Sequence, residues 1–212
     1  MGYTTDFSGS FQLSRKLTKE EREYINNFSA TRRMKRDVNK LMEKYNGKHG
    51  YPFPELLSGK VVDNSAETIY GIEGEYFVYD DGNSGQIDDG TIIDYNIPSG
   101  QISYDSTADF TARWDENKKR MNEGKCQPGL WCQWIVEDYN ECDELMWDGG
   151  EKFYNYVEWL RYLIEHFFSK WDVKLNGEVF WEGESSDDKG KIVVKDNIVK
   201  TYIAKITYGD EE

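Results

Sequence analysis

The sequence predicts an α+β fold in which an antiparallel sheet carries helices packed on one face and ends in a C-terminal hairpin. Three observations lead there. Between Leu130 and Trp181 the chain places Trp131, Trp134, Trp147, Trp159, Trp171 and Trp181 on alternating and helical periods, a large aromatic area for a core. Phe153, Val157, Leu160, Ile164, Phe167 and Trp171 recur at three- and four-residue steps, the spacing of one helix face. Asp196-Asn197 separates two β-type runs and suits a two-residue hairpin turn. Burying the six residues of that helix face is worth on the order of 10 to 20 kcal/mol gross. Ordering the helix costs at least as much, at roughly 1 to 2 kcal/mol per residue. It must therefore lie on a sheet, expected to contain Leu130–Val136, Glu144–Trp147, Glu178–Trp181, Lys191–Lys195 and Ile198–Ile206.

In chain order, Thr4 to Leu13 alternates as a strand, with Phe7, Phe11 and Leu13 apolar. Thr18 and Glu21 form a T-x-x-E capping box, which starts a helix at about Lys19. Its stripe is Tyr24, Ile25 and Phe28; the poor helix formers of Asn26 to Thr31 break it, and Val38, Leu41, Met42 and Tyr45 resume the period. Gly47, Gly50, Pro52 and Pro54 then mark a loop. Val61–Val62, Thr68–Tyr70, Glu75–Tyr79 and Thr91–Tyr95 are short strand candidates, and the Asp/Gly-rich Asp80–Gly90 reads as an exposed turn lacking the ligand spacing of a calcium loop.

Ser106 and Asp109 cap a helix from about Thr107 to Asn122, whose narrow stripe is Phe110, Trp114 and Met121. Leu130–Val136 sets Trp131, Gln133 and Ile135 on one face and Cys132, Trp134 and Val136 on the other, the pattern of a central strand covered on both sides. An acidic turn from Glu137 to Asp143 leads to its hairpin mate, Glu144–Trp147. Asp148 with Glu151 is expected to cap the long helix. Gly209 to Glu212 reads as a frayed tail.

A chain of 212 residues fits one domain, 1–212, large enough to bury a core without metal or disulfide staples. The net charge of −14 disfavours direct binding to nucleic acid or anionic membranes and favours a basic partner. That charge is uneven: residues 1 to 50 carry eleven Lys and Arg against six Asp and Glu, a net of +5, so the remainder carries −19. The basic run Arg32, Arg33, Lys35, Arg36, Lys40 and Lys44 is read as a solvated helix face, which is also suited to pair with the acid-rich half. Cys126, Cys132 and Cys142, with no signal-peptide pattern and no long apolar run, point to free thiols in a cytoplasmic setting. Neither His49 nor His166 has metal-type spacing to a cysteine, so no metal and no cofactor is expected.

The segments P-G-L-W-C-Q-W at Pro128–Trp134, W-D-G-G-E-K-F-Y-N-Y-V-E-W-L at Trp147–Leu160, L-N-G-E-V-F-W-E-G-E at Leu175–Glu184 and K-I-V-V-K-D-N at Lys191–Asn197 carry a resemblance. So do G-Y-T-T-D-F-S-G-S-F at Gly2–Phe11 and D-Y-N-I-P-S-G-Q at Asp94–Gln101. Together they resemble a family of small uncharacterised proteins from bacteria and their phages. In that family S-G-Q runs directly into P-G-L-W, which implies an insertion at 102–127 here. The order strand, helix, strand, strand, helix, strand is also similar to the YubB-like, ferredoxin-like domains of plasmids and phages. The resemblance implies a ferredoxin-like order and a mobile-element origin, where small acidic proteins act against host machinery.

No G-x-S-x-G, P-loop, G-x-G-x-x-G or H-E-x-x-H motif is present, and the chain is not expected to be an enzyme. Gly149-Gly150 at a helix start is read as a structural cap rather than an anion site. Glu137 with Asp148 as an acid and base, or Cys132 with His166 as nucleophile and base, are weaker readings than chance pairing and a buried thiol. The leading expectation is a noncatalytic acidic interaction protein, phage or mobile-element encoded, working in the host cytoplasm. It would inhibit a host defence nuclease or another basic nucleic-acid-binding protein by presenting carboxylates in place of phosphates. The candidate partner contacts are Asp80, Asp81, Asp88, Asp89, Glu137, Asp138, Glu141, Asp143 and Glu144. The alternative is a small-molecule binder or enzyme acting on a nucleotide-like ligand, stacked on Tyr95, Trp131, Trp134 or Trp147. A structural virion component is a third reading.

Overall fold

The computed structural model describes residues 2–54, 65–79, 82, 84–103, 110–138, 143–205 and 207. Along the chain run β1 (Thr5–Leu13), α1 (Lys19–Ala30), β2 (Met34–Arg36), α2 (Val38–Tyr45), α3 (Ala66–Tyr70), β3 (Ile92–Pro98) and α4 (Phe110–Asn122). Then come β4 (Trp134–Asp138), β5 (Asp143–Trp147), α5 (Tyr156–Leu163) with a π-turn over Ile164–Phe168, β6 (Leu175–Gly183), β7 (Lys189–Lys195) and β8 (Ile198–Ile203). The main sheet is antiparallel with strand order β4-β5-β1-β6-β7-β8, and β2 with β3 forms a second, two-stranded ribbon.

Strand β1 lies inside the sheet, paired with β5 on one side and with β6 along its whole length on the other. Two glycines permit the close β1–β6 approach. A β-carbon on Gly9, whose φ is +95°, would sit 2.5 Å from the Glu178 carbonyl oxygen. One on Gly177 would sit 2.6 Å from that of Ser10. Alternation sends Phe11, Leu13, Trp134, Val136, Leu145, Val179 and Ile192 to one face, where α1 and α5 cover them. Phe28 of α1 is fully buried there, stacked on Tyr162 and edge-on to Trp159 and Phe167. The helix-on-sheet arrangement that the Phe153–Trp171 periodicity requires is thus present, with all the helices packed on this face drawn from the two segments predicted to supply them.

Local chemistry sets several boundaries. Thr18 accepts from Glu21 N and the Glu21 carboxylate accepts from Thr18 N, so the capping box opens α1 as predicted. Asp196 and Asn197 both adopt positive φ, 49° and 68°, the backbone that a two-residue hairpin turn needs. The long helix, however, does not begin at Asp148. Asp148 accepts from Gly150 N at 2.7 Å in a local turn, and helix α5 starts after Asn155, whose side chain donates to Pro128 O instead of capping. Phe153 is buried as expected but lies ahead of the helix. Strand β4 begins at Trp134 rather than Leu130, and it is an edge strand, so Ile135 lies half-buried on an uncovered face.

Between α1 and β4 the chain builds a lobe around β2, β3 and α2 to α4. Here the basic run departs most from expectation. Arg33, Lys35 and Arg36 are not on a solvated helix but in or beside β2, only 2%, 6% and 2% exposed. Arg36 is ion-paired with Asp89 and hydrogen-bonded to Thr91 and Gly85 O, while Lys35 binds Glu73 and Gln101 O. Desolvation of a cation is offset only by such partners, so the acid-rich half supplies them from inside. Thr68–Tyr70 is helical, capped by Ser65. Glu75–Tyr79 is buried but makes no ladder, and its carbonyls serve side chains instead. The residues Val61–Val62 and Ser106 to Asp109 lie outside the described set.

Phe28→Ala removes the ring on which α1, α5 and Arg33 meet. It is expected to destabilise the protein by about 3 to 5 kcal/mol. Urea unfolding followed by far-UV circular dichroism should show a lower midpoint at unchanged slope.

Candidate functional site

The solvent face of the main sheet is the opposite of its core face. Register and alternation place Glu137 (β4), Glu144 (β5), Asp6 (β1) and Glu178 and Glu182 (β6) together on it. Glu178 is paired with Lys191 at 2.8 Å and Glu182 with Lys189. Glu137 and Glu144 stand directly opposite each other across the hairpin, and among the described residues neither has a cation. Only Ser10 Oγ, at 2.6 Å, donates to Glu144. Like charges in directly opposed positions destabilise a sheet unless an opposite charge comes between them. Across the sheet, on β6 and β8, Phe180 and Tyr202 are about half exposed and flank a depression of about 650 Å³ that reaches Asp6, Ser8, Lys189 and Lys191.

The next pair along the hairpin is different. Asp138 meets Lys16 at 2.9 Å and Arg22 at 2.6 Å, and these hydrogen bonds lower its pKa. Asp143 is fully buried, accepts from Leu17 N at 2.7 Å and lies 3.8 Å from Arg22, so it anchors the turn into α1. Asp89 is likewise withdrawn into the lobe. Burial alone would raise its pKa, but hydrogen bonds from Thr91 and Tyr45 and the charge of Arg36 outweigh that and hold it at about 2. Asp88 is exposed in the same loop, with its pKa lowered by the Gly90 N–H and by Tyr95. Asp80, Asp81 and Glu141 lie outside the described residues. The structure therefore leaves Glu137, Glu144 and Asp88 of the candidate contacts open to a partner, and removes Asp89 and Asp143.

The stacking candidates separate in the same way. Trp134 is completely buried with its indole N–H on Tyr156 O, so it presents no face to a ligand, and Trp147 is half-buried with its indole N–H on Gln133 Oε1 and Gly150 O. Tyr95 and Trp131 are 42% and 38% exposed. None of the four lines the clefts around His166, Phe180 or Trp114.

His166 lines a cleft of about 980 Å³ together with Glu67, Glu73, Glu123, Glu165 and Lys170. His166 sits in the π-turn, stacked on Tyr162 at 4.0 Å. Its Nε2 donates to Gly124 O at 2.8 Å and its Nδ1 bonds the Tyr76 hydroxyl at 3.0 Å. A carbonyl only accepts, so Nε2 carries the proton and the remaining lone pair faces Tyr76. His166 therefore ties the end of α4 to the core. Cys132 is buried apart from it, its thiol pushed up to about 12 by burial, the reverse of nucleophile activation. Glu137 and Asp148 are about 13 Å apart along the hairpin, beyond the spacing of a glycosidase pair.

Among the described residues, no three His, Cys, Asp or Glu side chains are arranged to hold a metal ion, and no helix is long and apolar enough to cross a membrane. Comparison with family models, curated proteins and solved structures finds no match.

Asp89→Asn leaves the Arg36 guanidinium buried beside a neutral group. The variant is expected to lose about 3 kcal/mol at neutral pH. Because the folded pKa of Asp89 lies below its unfolded value of about 4, its contribution is full above about pH 4 and disappears as pH falls towards about 2. Acid titration of thermal stability should show a shallower decline across that window in Asp89→Asn than in the parent protein.

Proposed function

We propose that this chain is a noncatalytic interaction protein that binds a basic partner through the solvent face of its main sheet. The observation that carries the reading is the directly opposed pair Glu137 and Glu144, without an ion pair among the described residues, on the uncovered sheet face that further along carries Phe180 and Tyr202. A partner's Arg or Lys placed between the two carboxylates relieves their repulsion, and the exposed rings of β6 and β8 supply apolar area to a partner broad enough to span the sheet face. The net charge of −14 adds long-range attraction to a basic surface.

In its sharpest form the partner is a host defence nuclease or other basic nucleic-acid-binding protein, and the carboxylates occupy the groove meant for phosphates. The resemblance to proteins of phages and mobile elements supports that anti-defence role, and with it a site of action in the host cytoplasm. We also read the order β4-β5-β1-β6, with α1 and α5 as the two crossing helices, as the ferredoxin-like arrangement that the resemblance implies. Of the residues named for the nucleotide-stacking alternative, Trp134 is fully buried, while Tyr95 and Trp131 are exposed.

Affinity capture from host lysate identifies the partner, and calorimetry then measures binding from about 0.05 M to about 0.5 M salt. The expected result is a steep fall in affinity with salt and about tenfold weaker binding by Glu137→Gln/Glu144→Gln. Glu137 and Glu144 hold no ion pair among the described residues, so the double variant should fold at least as stably as the parent. Salt-independent binding, or binding unchanged in the double variant, contradicts this function.

A further inference from the structure

The main sheet has two outer strands, β4 and β8, and they are finished differently. Along β4, Asn26 of α1 accepts from Val136 N at 2.8 Å and donates to Val136 O at 3.0 Å, and Ser29 donates to Trp134 O. Side chains of α1 thus stand where a further strand would pair, and that edge is closed. Among the described residues β8 has β7 on one side and no partner on the other. Its Ile198, Tyr202 and Ile203 are 64%, 50% and 80% exposed, its ladder with β7 runs without a bulge, and it contains no proline. An apolar, unbulged and unblocked edge is a template for another strand.

The ladder also fixes which backbone groups face outward. Ala204 N donates to Lys189 O at 2.7 Å, and in an antiparallel pair every second residue bonds to the neighbouring strand. Lys200 and Tyr202 therefore turn their N–H and C=O groups to β7, while Val199, Thr201 and Ile203 turn theirs away from it. Two copies of β8 related by a twofold axis normal to the sheet pair antiparallel about a residue that faces itself. With Thr201 on that axis, Val199 meets Ile203 of the second copy, Thr201 meets Thr201 and Ile203 meets Val199. Three outward residues in each copy, each with one N–H and one C=O, then form about six hydrogen bonds. Lys200 lies opposite the Tyr202 ring of the second copy, a cation–π pairing, and no two like charges meet. Centring on Lys200 instead would form about four bonds and set that lysine against itself.

We propose that β8 is a homodimerisation edge, to which a second copy of this chain adds its own β8 in the register centred on Thr201, continuing the six-stranded sheet. The strand is complementary to itself: its one charged residue, Lys200, meets an aromatic ring, and its helix-side residues Val199 and Ile203 meet each other. Val199 and Thr201 lie across from buried Val194 and Ile192, so these apolar pairs extend the core through the junction. Because β4 is closed by Asn26 and Ser29, pairing stops at two copies and does not run on into a filament. Six residues make an edge about 20 Å long, short of a standard interface, so the dimer is weak and forms between about 10 µM and 1 mM. The twofold leaves both open faces on one side of the joined sheet, with a Glu137 and Glu144 pair at each outer end. Neither glutamate takes part in the pairing, so either reading can fail without the other.

Sedimentation equilibrium of the full chain from about 1 µM to about 1 mM, at about 0.05 M and about 0.5 M salt, tests the pairing. The mass is expected to rise from 24.8 kDa towards twice that value and no further. At the higher salt the rise should come at lower protein concentration, because two chains of net charge −14 repel each other. That salt dependence is opposite in sign to the one expected for the basic partner. Thr201→Lys, at an exposed position, sets like charges face to face on the axis and leaves the bonds to β7 in place. It is expected to weaken association about tenfold or more at an unchanged unfolding midpoint. Thr201→Cys sets two thiols across the axis with α-carbons about 5.5 Å apart, within disulfide reach, and oxidation with diamide should cross-link it at a yield above the parent's. A chain that stays monomeric at about 1 mM in both salts, a mass that grows past two copies, association undiminished by Thr201→Lys, or no added cross-linking in Thr201→Cys would overturn the proposal.

Discussion

Arg33 joins the lobe to the sheet through a guanidinium buried without a carboxylate partner among the described residues. Its Nε donates to Thr31 O at the end of α1, its Nη1 to Glu75 O and its Nη2 to Phe77 O, while its plane lies 4.3 Å over the Phe28 ring. Its own backbone N–H binds Leu130 O, where the chain returns towards β4. One residue therefore touches the exit from the sheet body, the interior of the lobe, the aromatic core and the re-entry. Burial lowers its pKa to about 10, and the cation persists because carbonyl dipoles replace the water it has lost.

The open sheet face follows from that junction. With α1 and α5 committed to one face of the sheet and the lobe fastened at the ends of the segment between α1 and β4, the opposite face stays open and carries Glu137, Glu144 and Phe180. Where the lobe meets the start of α5, Asn155 reaches back to Pro128 O and His166 holds Gly124 O, which fixes both the entry to α5 and the exit from α4. Gln127 extends the same seam by donating to Glu75 O, while the Tyr162 hydroxyl donates to the Glu75 carboxylate.

Several elements are legible in the sequence because the interaction that decides them is local. Thr18 with Glu21, Asp196-Asn197 and the spacing from Val157 to Trp171 depend on neighbours within a turn or a helix face. Asp148 misled because an Asx turn and a helix cap use the same side-chain acceptor, and only the next residues distinguish them. Burial of Arg33, Lys35 and Arg36 was hidden because their partners, Glu75 O, Glu73 and Asp89, lie about forty to fifty residues away. The same long-range pairing withdrew Asp89 and Asp143 from the acidic surface. The edge position of β4 is a property of strand order and leaves no mark in alternation. Trp114 read only as part of a narrow stripe, since a cleft between separate segments has no sequence period.

Replacing Arg33 by Met keeps the side chain's length and apolar stem but leaves the carbonyls of Thr31, Glu75 and Phe77 without their donor. If this guanidinium joins lobe and sheet, equilibrium unfolding with native-state hydrogen exchange should show a loss of about 3 kcal/mol or more. Faster exchange should then appear both at residues 70–79 and along β1 and β6. A variant that unfolds at the parent midpoint, with protection in the two regions unchanged, would contradict the account.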